Sequence, residues 1–166
     1  MKKWRDVDGY FSEQQGVEIQ KRVIGNVCVE LGSFKGRSTI CLAEVAEHVY
    51  TVDSFLSIEL AKNVAGYPVT YYTMSAQDAS KLFKPNSVDF IFEDTTHDYA
   101  TTKGNVLAWW DKLKLNGVLC FHDYGHKVYP DIKRIVHELF GSIEKKDIVG
   151  GLAFICKKKH ALAEMT

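Results

Sequence analysis

Short apolar runs alternate along this chain with longer segments that have the period of an amphipathic helix. The runs are rich in β-branched and aromatic residues, and most of their positions are apolar. Strands of this kind, separated by helices, are typical of a parallel sheet with helices on both faces. The predicted strands span residues 27–31, 48–52, 69–74, 88–92 and 118–121. The predicted helices span residues 36–47, 57–64, 76–82, 100–113 and 131–140.

The last part of the chain departs from this alternation. Two strand-like runs, residues 143–148 and 152–156, are separated by Val149, Gly150 and Gly151, which leaves no room for a crossover helix. Paired glycines between two strands are typical of a tight antiparallel hairpin. The sequence therefore predicts an α/β fold: one domain over residues 1–166, with an open, doubly wound, mostly parallel seven-stranded sheet of the Rossmann-like kind that ends in this hairpin. Such a sheet binds its ligand beyond the carboxyl ends of the strands, where the strand order reverses.

Composition excludes several classes of partner. The 21 Lys and Arg residues balance 21 Asp and Glu residues, so there is no bulk positive charge to attract a nucleic acid, and none is expected as a partner. No apolar run approaches the ~20 residues of a membrane span, and the first residues lack the apolar segment of a signal peptide. The four cysteines are widely separated and form no metal-binding pair, which is typical of reduced thiols. We therefore expect a cytoplasmic protein without a membrane partner.

The loop after the first strand has features of a nucleoside-binding site. Gly32 and Gly36 flank a strand-to-helix turn, and the backbone N–H groups that begin the next helix can contact an anionic group. Asp53 follows the second strand about twenty residues later, where a carboxylate can accept hydrogen bonds from a ribose diol. The alternative is a tight turn with an aspartate that only caps a helix. Together, the loop, the spacing and Asp53 favour a ligand that contains a nucleoside.

Two common nucleotide motifs do not fit this loop. The dinucleotide fingerprint GxGxxG requires a second glycine two residues after the first, and Phe34 stands at that position. The P-loop requires Lys and then Ser or Thr after its last glycine, whereas Arg37 follows Gly36. The sequence therefore favours a nucleoside with a small anionic group, such as the methionine carboxylate of S-adenosylmethionine.

Five segments carry a resemblance to a known family. They are VELGSFKGRST, VYTVDSF, TMSAQDAS, DFIFEDTTHDY and LKLNGVLCFHDYGH, and the resemblance extends over roughly residues 27–140. In these segments the sequence resembles class I S-adenosylmethionine-dependent methyltransferases, and within that family it is most similar to small O-methyltransferases of the catechol and macrocin kind. The resemblance implies transfer of a methyl group from S-adenosylmethionine to a hydroxyl of a small molecule.

The resemblance also implies which residues contact the cofactor. Residues of the first strand and its loop line the methionine end, Asp53 holds the ribose hydroxyls, and the segment after the third strand flanks the adenine. The implied cofactor residues are Glu30, Gly32, Ser33, Gly36, Asp53, Ser75, Ala76, Gln77 and Asp94. In the segment after the third strand, the alternative is that Asp78 only caps the short helix.

Two further strand ends carry carboxylates and imidazoles. Asp94 and His97 follow the fourth strand, and His122 and Asp123 follow the fifth. In catechol-type relatives, carboxylates at two of these positions bind magnesium, so the resemblance implies a divalent-metal site at Asp94 and Asp123. The sequence departs from that pattern at Tyr124, where those relatives carry Asn, so one oxygen ligand is missing. The neighbouring histidines would favour manganese, iron or zinc over magnesium.

His97 is the candidate general base, acting together with Asp94. An imidazole titrates near neutral pH and can accept a hydroxyl proton. Inline methyl transfer requires little beyond alignment and a deprotonated nucleophile, so one base or one metal ion suffices. The alternative is a histidine that only holds its loop by hydrogen bonds. His122 directly precedes Asp123, and we expect it to point to the opposite face of the sheet.

Two other functions stay open at this point. One is an S-adenosylmethionine-binding partner subunit without catalysis, and the other is a different, hydroxylase-like reaction on the same scaffold. The segments before the first strand and after the fifth strand are short, so we expect an open acceptor site. A second copy of the chain, in a homo-oligomer, would be one way to close it.

Overall fold

A computed structural model of the chain describes residues 1–23, 27–55 and 57–158. The strands of this described part are β1 (Val27–Leu31), β2 (His48–Asp53), β3 (Val69–Thr73), β4 (Val88–Glu93), β5 (Leu113–Phe121), β6 (Ile148–Val149) and β7 (Leu152–Cys156). Its α-helices are α1 (Glu13–Arg22), α2 (Arg37–Ala43), α3 (Ile58–Asn63), α4 (Ala76–Ser80), α5 (Tyr99–Trp109) and α6 (Pro130–Phe140). Short 3-10 helices cover Trp4–Asp6 and Lys145–Asp147. Each described helix is too short or too polar to cross a membrane.

The strands form one sheet in the order β3-β2-β1-β4-β5-β7-β6. The five strands from β1 to β5 are parallel, whereas β7 is antiparallel to both β5 and β6. Because β1 pairs with β2 on one side and with β4 on the other, the strand order reverses at β1. The predicted α/β sheet with its terminal antiparallel hairpin is therefore confirmed. In such a sheet the ligand position is predicted to lie at the carboxyl ends of β1 and β4.

Two hydrophobic cores cover the two faces of the sheet. Neighbouring residues of β1 belong to different cores, since Cys28 packs in one and Val29 in the other. The core on the Cys28 side takes its helical side chains from α1, α2 and α3. The core on the Val29 side takes them from α4, α5 and α6. Helices cover both faces of the sheet, so the open part of the sheet is its edge at the carboxyl ends of the strands, where a site can form.

Several elements differ from those expected, mainly in short or polar segments. β5 begins at Leu113, well before the expected start at residue 118, and α5 ends at Trp109. Of the expected strand at 143–148, only Ile148 belongs to a strand, because residues 145–147 form a 3-10 helix. Helix α1 was not expected from its few apolar residues. It begins with a capping box, in which Ser12 N–H donates to Gln15 Oε1 at 2.7 Å and Gln15 N–H donates back to Ser12 Oγ.

The N-terminal segment is held against the start of α2 by Arg37. Its guanidinium donates to the carbonyl oxygen of Phe11 at 2.6 Å and to that of Val7 at 2.5 Å. The same group lies 5.4 Å from the ring centroid of Trp4, which is fully buried. These contacts place residues 9–12 next to the carboxyl ends of the central strands.

Candidate active site

A cavity of about 910 Å³ opens at the carboxyl ends of β1, β2, β4 and β5. This volume lies near the upper end of the range of roughly 300–1,000 Å³ that small-molecule sites occupy. The cavity is lined by residues 9–12, 32–35, 52–55, 94–97, 122–123 and by Gln15, Arg37, Ser38, Met74, Ala76, His126, Tyr129 and Gly150. Its position is the one that the strand order predicts for a ligand.

The loop after β1 lies against the end of β4 because Gly32 has no side chain. Gly32 has a φ of +88°, and a Cβ there would lie 2.1 Å from the carbonyl oxygen of Asp94. Its N–H donates to the carbonyl oxygen of Val52 at 2.8 Å, so the loop is joined to β2 as well. Gly36, with a φ of +87°, is the N-cap of α2 and lies behind the cavity wall, against Leu60. Both positions require the left-handed conformation that glycine adopts without strain.

Asp53 lines the cavity and holds the loop in place. Its Oδ2 accepts hydrogen bonds from the N–H groups of Ser33 at 3.0 Å and Phe34 at 3.3 Å. Its Oδ1 accepts from Phe55 N–H at 3.1 Å. A carboxylate oxygen can accept two hydrogen bonds, so Oδ1 keeps capacity for a ribose hydroxyl.

Glu30 lies beneath the cavity and not on its wall. It is fully buried and accepts hydrogen bonds from the hydroxyls of Ser38, Thr39 and Thr51. Burial raises the pKa of Glu30 to about 7, against the lowering effect of the three hydroxyls. The residue therefore joins β1, β2 and α2 under the cofactor loop.

Of the three residues that the resemblance places beside the adenine, one lines the cavity and two do not. Ala76 lines the cavity, whereas Ser75 and Gln77 do not. Ser75 is the N-cap of α4, since its Oγ accepts from Asp78 N–H at 3.1 Å. Ser75, and not Asp78, is therefore the cap. The amide of Gln77 packs against Gly104 of α5, where a Cβ would lie 2.4 Å from Gln77 Nε2.

Asp94, His97, His122 and Asp123 converge on the wall of the cavity, and we call them the His–Asp cluster. His97 Nε2 lies 3.2 Å from Asp94 Oδ1 and 3.0 Å from Asp123 Oδ2. His122 Nδ1 lies 3.2 Å and 3.0 Å from the same two oxygens. One donor atom from each residue lies within 4.8 Å of the other three. The structure thus brings all four candidate residues to one point.

Opposite charges govern the titration of the His–Asp cluster. Burial raises the pKa of Asp94, but the nearby His122 and His97 outweigh burial and lower that pKa below its usual range. The pKa of Asp123 is lowered in the same way, against the effect of burial, mainly by His122. The hydrogen bond to Asp94 raises the pKa of His97. Burial lowers the pKa of His122, but the two carboxylates raise it by more.

The expectation that His122 faces away from the site was wrong. Its side chain lines the cavity together with that of Asp123. Strict alternation holds only within a strand, and β5 ends at Phe121. Asp123 has a φ of +55°, a left-handed turn that brings two consecutive side chains to the same side.

Two members of the His–Asp cluster have a left-handed backbone conformation, which is uncommon outside glycine. His97 has a φ of +65° and Asp123 a φ of +55°. Left-handed residues other than glycine cost on the order of 1–3 kcal/mol and are concentrated at functional sites. The ring of His97 is further fixed by stacking on Tyr129, with centroids 4.4 Å apart.

Tyr124, the departure from the catechol-type pattern, does not join the His–Asp cluster, and neither does Asn105 of α5. The Tyr124 hydroxyl lies 2.8 Å from His137 Nε2, on α6. Asn105 is buried on α5 and donates to Thr95 Oγ1 at 3.2 Å and to Glu93 at 3.4 Å. The cluster therefore has two carboxylates and two imidazoles as its donor groups.

Sequence reasoning missed the part of the site that the N-terminal segment provides. Tyr10 lines the cavity with 92% of its surface exposed, and its ring stacks on that of Phe34 with centroids 6.3 Å apart. Phe55, 83% exposed, lines the same cavity. The S-x-x-Q pattern at Ser12 was the available signal, since it marks the start of α1 and hence the position of the residues before it.

Comparison with known proteins identifies the family of the chain. A family model described as a methyltransferase domain matches residues 29–124. No curated protein is similar enough in sequence to count as a match.

Several solved structures share the fold. An rRNA methylase from Streptococcus thermophilus has a TM-score of 0.68 at 11% identity, covering 92% of this chain and 99% of that chain. A candidate methyltransferase from Streptococcus mutans, solved with SAH, has a TM-score of 0.67 at 14% identity, covering 91% and 99%. A candidate caffeoyl-CoA O-methyltransferase from Staphylococcus aureus has a TM-score of 0.65 at 18% identity, covering 91% and 84%. At these identities the likeness is one of fold.

The family model covers more than half of the chain. The matched residues begin in β1 and end just after β5, so they contain the cofactor loop, Asp53 and the His–Asp cluster. The chain belongs to the class I S-adenosylmethionine-dependent methyltransferases.

Proposed function

We propose that this methyltransferase transfers the methyl group of S-adenosylmethionine to a hydroxyl of a small molecule. The observation that carries the proposal is that the His–Asp cluster and the cofactor loop line the same cavity. The carbonyl group of Asp94 packs directly against Gly32, so the two functional parts adjoin each other. A hydroxyl is a weak nucleophile until its proton is removed, and the cluster supplies the groups to remove it.

His97 is the residue of the His–Asp cluster that we propose as the base. It lies on the loop after β4, lines the cavity, and its Nε2 lies between Asp94 and Asp123. The two carboxylates stabilise the imidazolium that forms when a proton is taken from the acceptor. Alignment of the hydroxyl with the sulfonium methyl then completes the requirements for inline transfer.

A divalent ion at Asp94 and Asp123 is the second means of activating the hydroxyl. The two carboxylate oxygens approach the same two imidazole nitrogens, so the residues present fit an ion, magnesium or another divalent metal. When bound, such an ion would lower the pKa of an acceptor hydroxyl. The residues of the His–Asp cluster would position that hydroxyl beside the cofactor loop.

The cavity favours a small acceptor. The N-terminal segment covers one side of it with residues 9–12 and places exposed aromatic rings at its edge. The chain carries equal numbers of acidic and basic residues, so it has no bulk charge for gathering RNA. The rRNA methylase from Streptococcus thermophilus shares the fold, so the test includes RNA as the alternative class of acceptor.

The test is methyl transfer from labelled S-adenosylmethionine to three sets of acceptors: catechols, sugar hydroxyls and rRNA fragments. We expect labelled product from a small-molecule hydroxyl and none from RNA. Replacing Asp123 by the isosteric Asn should abolish most of the product. The matched control is Asp131→Asn, at the exposed start of α6 and outside the cavity.

Three outcomes would contradict the proposal. Methylation of RNA alone would assign the chain to the other acceptor class. Binding of S-adenosylmethionine with transfer to none of the three sets would favour the non-catalytic subunit, and conversion of an acceptor without methylation would favour a hydroxylase-like reaction.

A further inference from the structure

The side chain of His97 needs more than its contacts with the carboxylates to hold its ring in place. Its Nε2 lies 3.2 Å from Asp94 Oδ1 and 3.0 Å from Asp123 Oδ2, so both carboxylates lie at the same nitrogen. Nδ1 forms no hydrogen bond within the described residues. A catalytic imidazole is usually oriented by a hydrogen bond at its second nitrogen. Contacts at one nitrogen leave the ring free to tilt about that atom, so another group has to set its plane.

The ring of Tyr129 supplies this second contact. It stacks on the imidazole of His97, with the two centroids 4.4 Å apart and the planes inclined by 21°. It also stacks on the ring of His126, with the centroids 5.1 Å apart and the planes inclined by 28°. All three residues line the cavity. A flat ring stacked on the imidazole resists the tilting that the contacts at Nε2 allow.

The backbone of Tyr129 is more firmly held than that of His97. Tyr129 is the N-cap of α6, whose buried face packs into the core. Two successive turns join it to the His–Asp cluster: His126 N–H donates to the carbonyl oxygen of Asp123 at 3.0 Å, and Tyr129 N–H donates to that of His126 at 3.1 Å. His97, in contrast, lies in the loop between β4 and α5. A ring at the start of a packed helix is therefore able to hold a side chain on a loop.

We propose that Tyr129 is a positioning residue for the methyl transfer: its ring holds the imidazole of His97 in the orientation that proton removal from the acceptor requires. This role rests on the proposed function, in which His97 is the base, and it names the residue that orients this base. The stacked ring is the part of Tyr129 that matters, since its hydroxyl forms no hydrogen bond in the part of the chain that the structure describes. Misplacement of a reacting group by about 1 Å lowers a rate on the order of 10²-fold.

Three substitutions separate the ring of Tyr129 from its hydroxyl and from its bulk. Tyr129→Phe keeps the ring, Tyr129→Leu keeps an apolar side chain without a ring, and Tyr129→Ala removes both. With the small-molecule hydroxyl that the wild type methylates as acceptor, kcat should stay within about twofold in Tyr129→Phe and fall roughly 10–100-fold in the other two variants. KM for the acceptor and the affinity for S-adenosylhomocysteine should stay within about threefold in all three, because the change acts through His97.

A second measurement requires neither cofactor nor acceptor. The imidazole of His97 is stacked on Tyr129, so the ring current of Tyr129 shifts the NMR resonances of the His97 ring protons. Their disappearance in His97→Ala assigns these resonances. We expect them to move in Tyr129→Leu and Tyr129→Ala and to stay close to the wild-type positions in Tyr129→Phe. Circular dichroism establishes that each variant is folded; should Tyr129→Ala fail to fold, Tyr129→Leu carries the test.

The matched control is His137→Ala, which breaks another tyrosine–histidine stack at α6. His137 stacks on Tyr124, with the centroids 6.2 Å apart, and neither residue lines the cavity. This variant should keep the wild-type kcat and the wild-type resonances of His97. A loss of kcat equal to that in Tyr129→Ala would show that loosening of α6, and not the contact with His97, accounts for the effect.

Three further outcomes would overturn the inference: equal losses of kcat in Tyr129→Phe and Tyr129→Ala, a wild-type kcat in folded Tyr129→Leu and Tyr129→Ala, or a raised KM with unchanged kcat. These outcomes are separate from a failure of the proposed function. If the wild type methylates no hydroxyl, the proposed function fails, whereas the resonances of His97 still test whether Tyr129 holds its ring. If the wild type methylates a hydroxyl and folded Tyr129→Ala keeps its kcat, only the positioning role of Tyr129 fails.

Discussion

The two sides of the cavity differ in the groups from which they are built. On the side of β1 and β2, the loop consists of glycine and backbone N–H groups around a single carboxylate, Asp53. On the side of β4 and β5, four ionisable side chains approach one point. The first side satisfies its own polar groups, since Asp53 already accepts hydrogen bonds from the loop. On the second, neither ring nitrogen of His122 forms a hydrogen bond within the described residues, although Nδ1 lies 3.0–3.2 Å from the carboxylates of Asp123 and Asp94.

This difference suggests a division of labour. A loop whose backbone is already hydrogen-bonded is preorganised, so binding a cofactor there requires little ordering. The other side gathers four partly buried ionisable groups and has left-handed backbone at His97 and Asp123, features that are concentrated at functional sites. We therefore expect substitutions on the first side to change cofactor affinity and substitutions on the second to change turnover.

The largest expected effect is on turnover and concerns the side of β4 and β5, which carries the His–Asp cluster. His97→Ala should lower kcat for methyl transfer by about 10²–10⁴-fold, the range for loss of a group that removes a proton in the transition state. The affinity for S-adenosylhomocysteine, measured calorimetrically, should stay within about threefold of wild type, because His97 does not contact the loop at Gly32 through a hydrogen bond. An equal loss of cofactor affinity and turnover would show that the two sides are not separable.

The next effect concerns Gly32, the point where the two sides meet. Gly32→Ala should lower the free energy of unfolding by roughly 2–5 kcal/mol, since it adds left-handed strain to a clash with the backbone of Asp94. Gly125→Ala is the matched control, because Gly125 has a similar φ of +81° but no atom within 4 Å of the added Cβ. Urea unfolding should show a loss of only roughly 1–2 kcal/mol there. Equal losses at the two positions would mean that the contact with Asp94 contributes nothing.

A smaller effect concerns a feature that both sides of the cavity share. A buried glutamate lies beneath each side, Glu30 in β1 and Glu93 in β4. Burial raises the pKa of Glu30 to about 7, as it does that of Glu93, both from a usual value of 4.5. A folded-state pKa above the unfolded value gives stability that is fully present below pH 4.5 and is lost as the pH rises through 7. Glu30→Gln should remove its part of this loss, roughly 2–3 kcal/mol between pH 4.5 and 8.

Urea unfolding at pH 5 and pH 8 measures that difference. The free energy of unfolding of Glu30→Gln should fall less with rising pH than that of the wild type. Parallel behaviour of the two proteins would contradict the raised pKa of Glu30. Unchanged affinity for S-adenosylhomocysteine in the variant would further assign Glu30 to support of the loop and not to cofactor contact.

The sequence predicts buried strands better than it predicts polar elements. β1 and β7 match their expected bounds because continuous apolar runs have sharp ends. β5 begins earlier than expected because its first part is polar at Lys114 and Asn116, which no apolar pattern marks. Helix α1 escaped prediction since Ile19 is its one fully buried apolar residue in the described part. Pattern reasoning detects burial, and these segments are only partly buried.

In the candidate site, too, some features could be predicted from the sequence and others could not. The positions of Asp53, Asp94 and Asp123 could be predicted because each follows a recognisable strand. The direction of His122 could not, because the left-handed turn at Asp123 ends the alternation that the prediction assumed. Nor could the sequence reveal that Glu30 is directed below the cavity, toward hydroxyls of β2 and α2.

The smallest effect we predict separates two roles of Asp53 on the cofactor side. Asp53→Asn keeps one acceptor oxygen for the loop but loses the charge and one acceptor, so affinity for S-adenosylhomocysteine should fall about tenfold, as expected when a charge-assisted hydrogen bond is weakened. At saturating S-adenosylmethionine, kcat should stay within about twofold of wild type, the reverse of the expected result for His97→Ala. Asp131→Asn, outside the cavity, is the control for loss of one negative charge. A variant that loses stability but retains cofactor affinity would show that Asp53 holds the Ser33–Phe34 loop without contacting the ribose, and the cofactor side would then recognise its ligand through backbone groups alone.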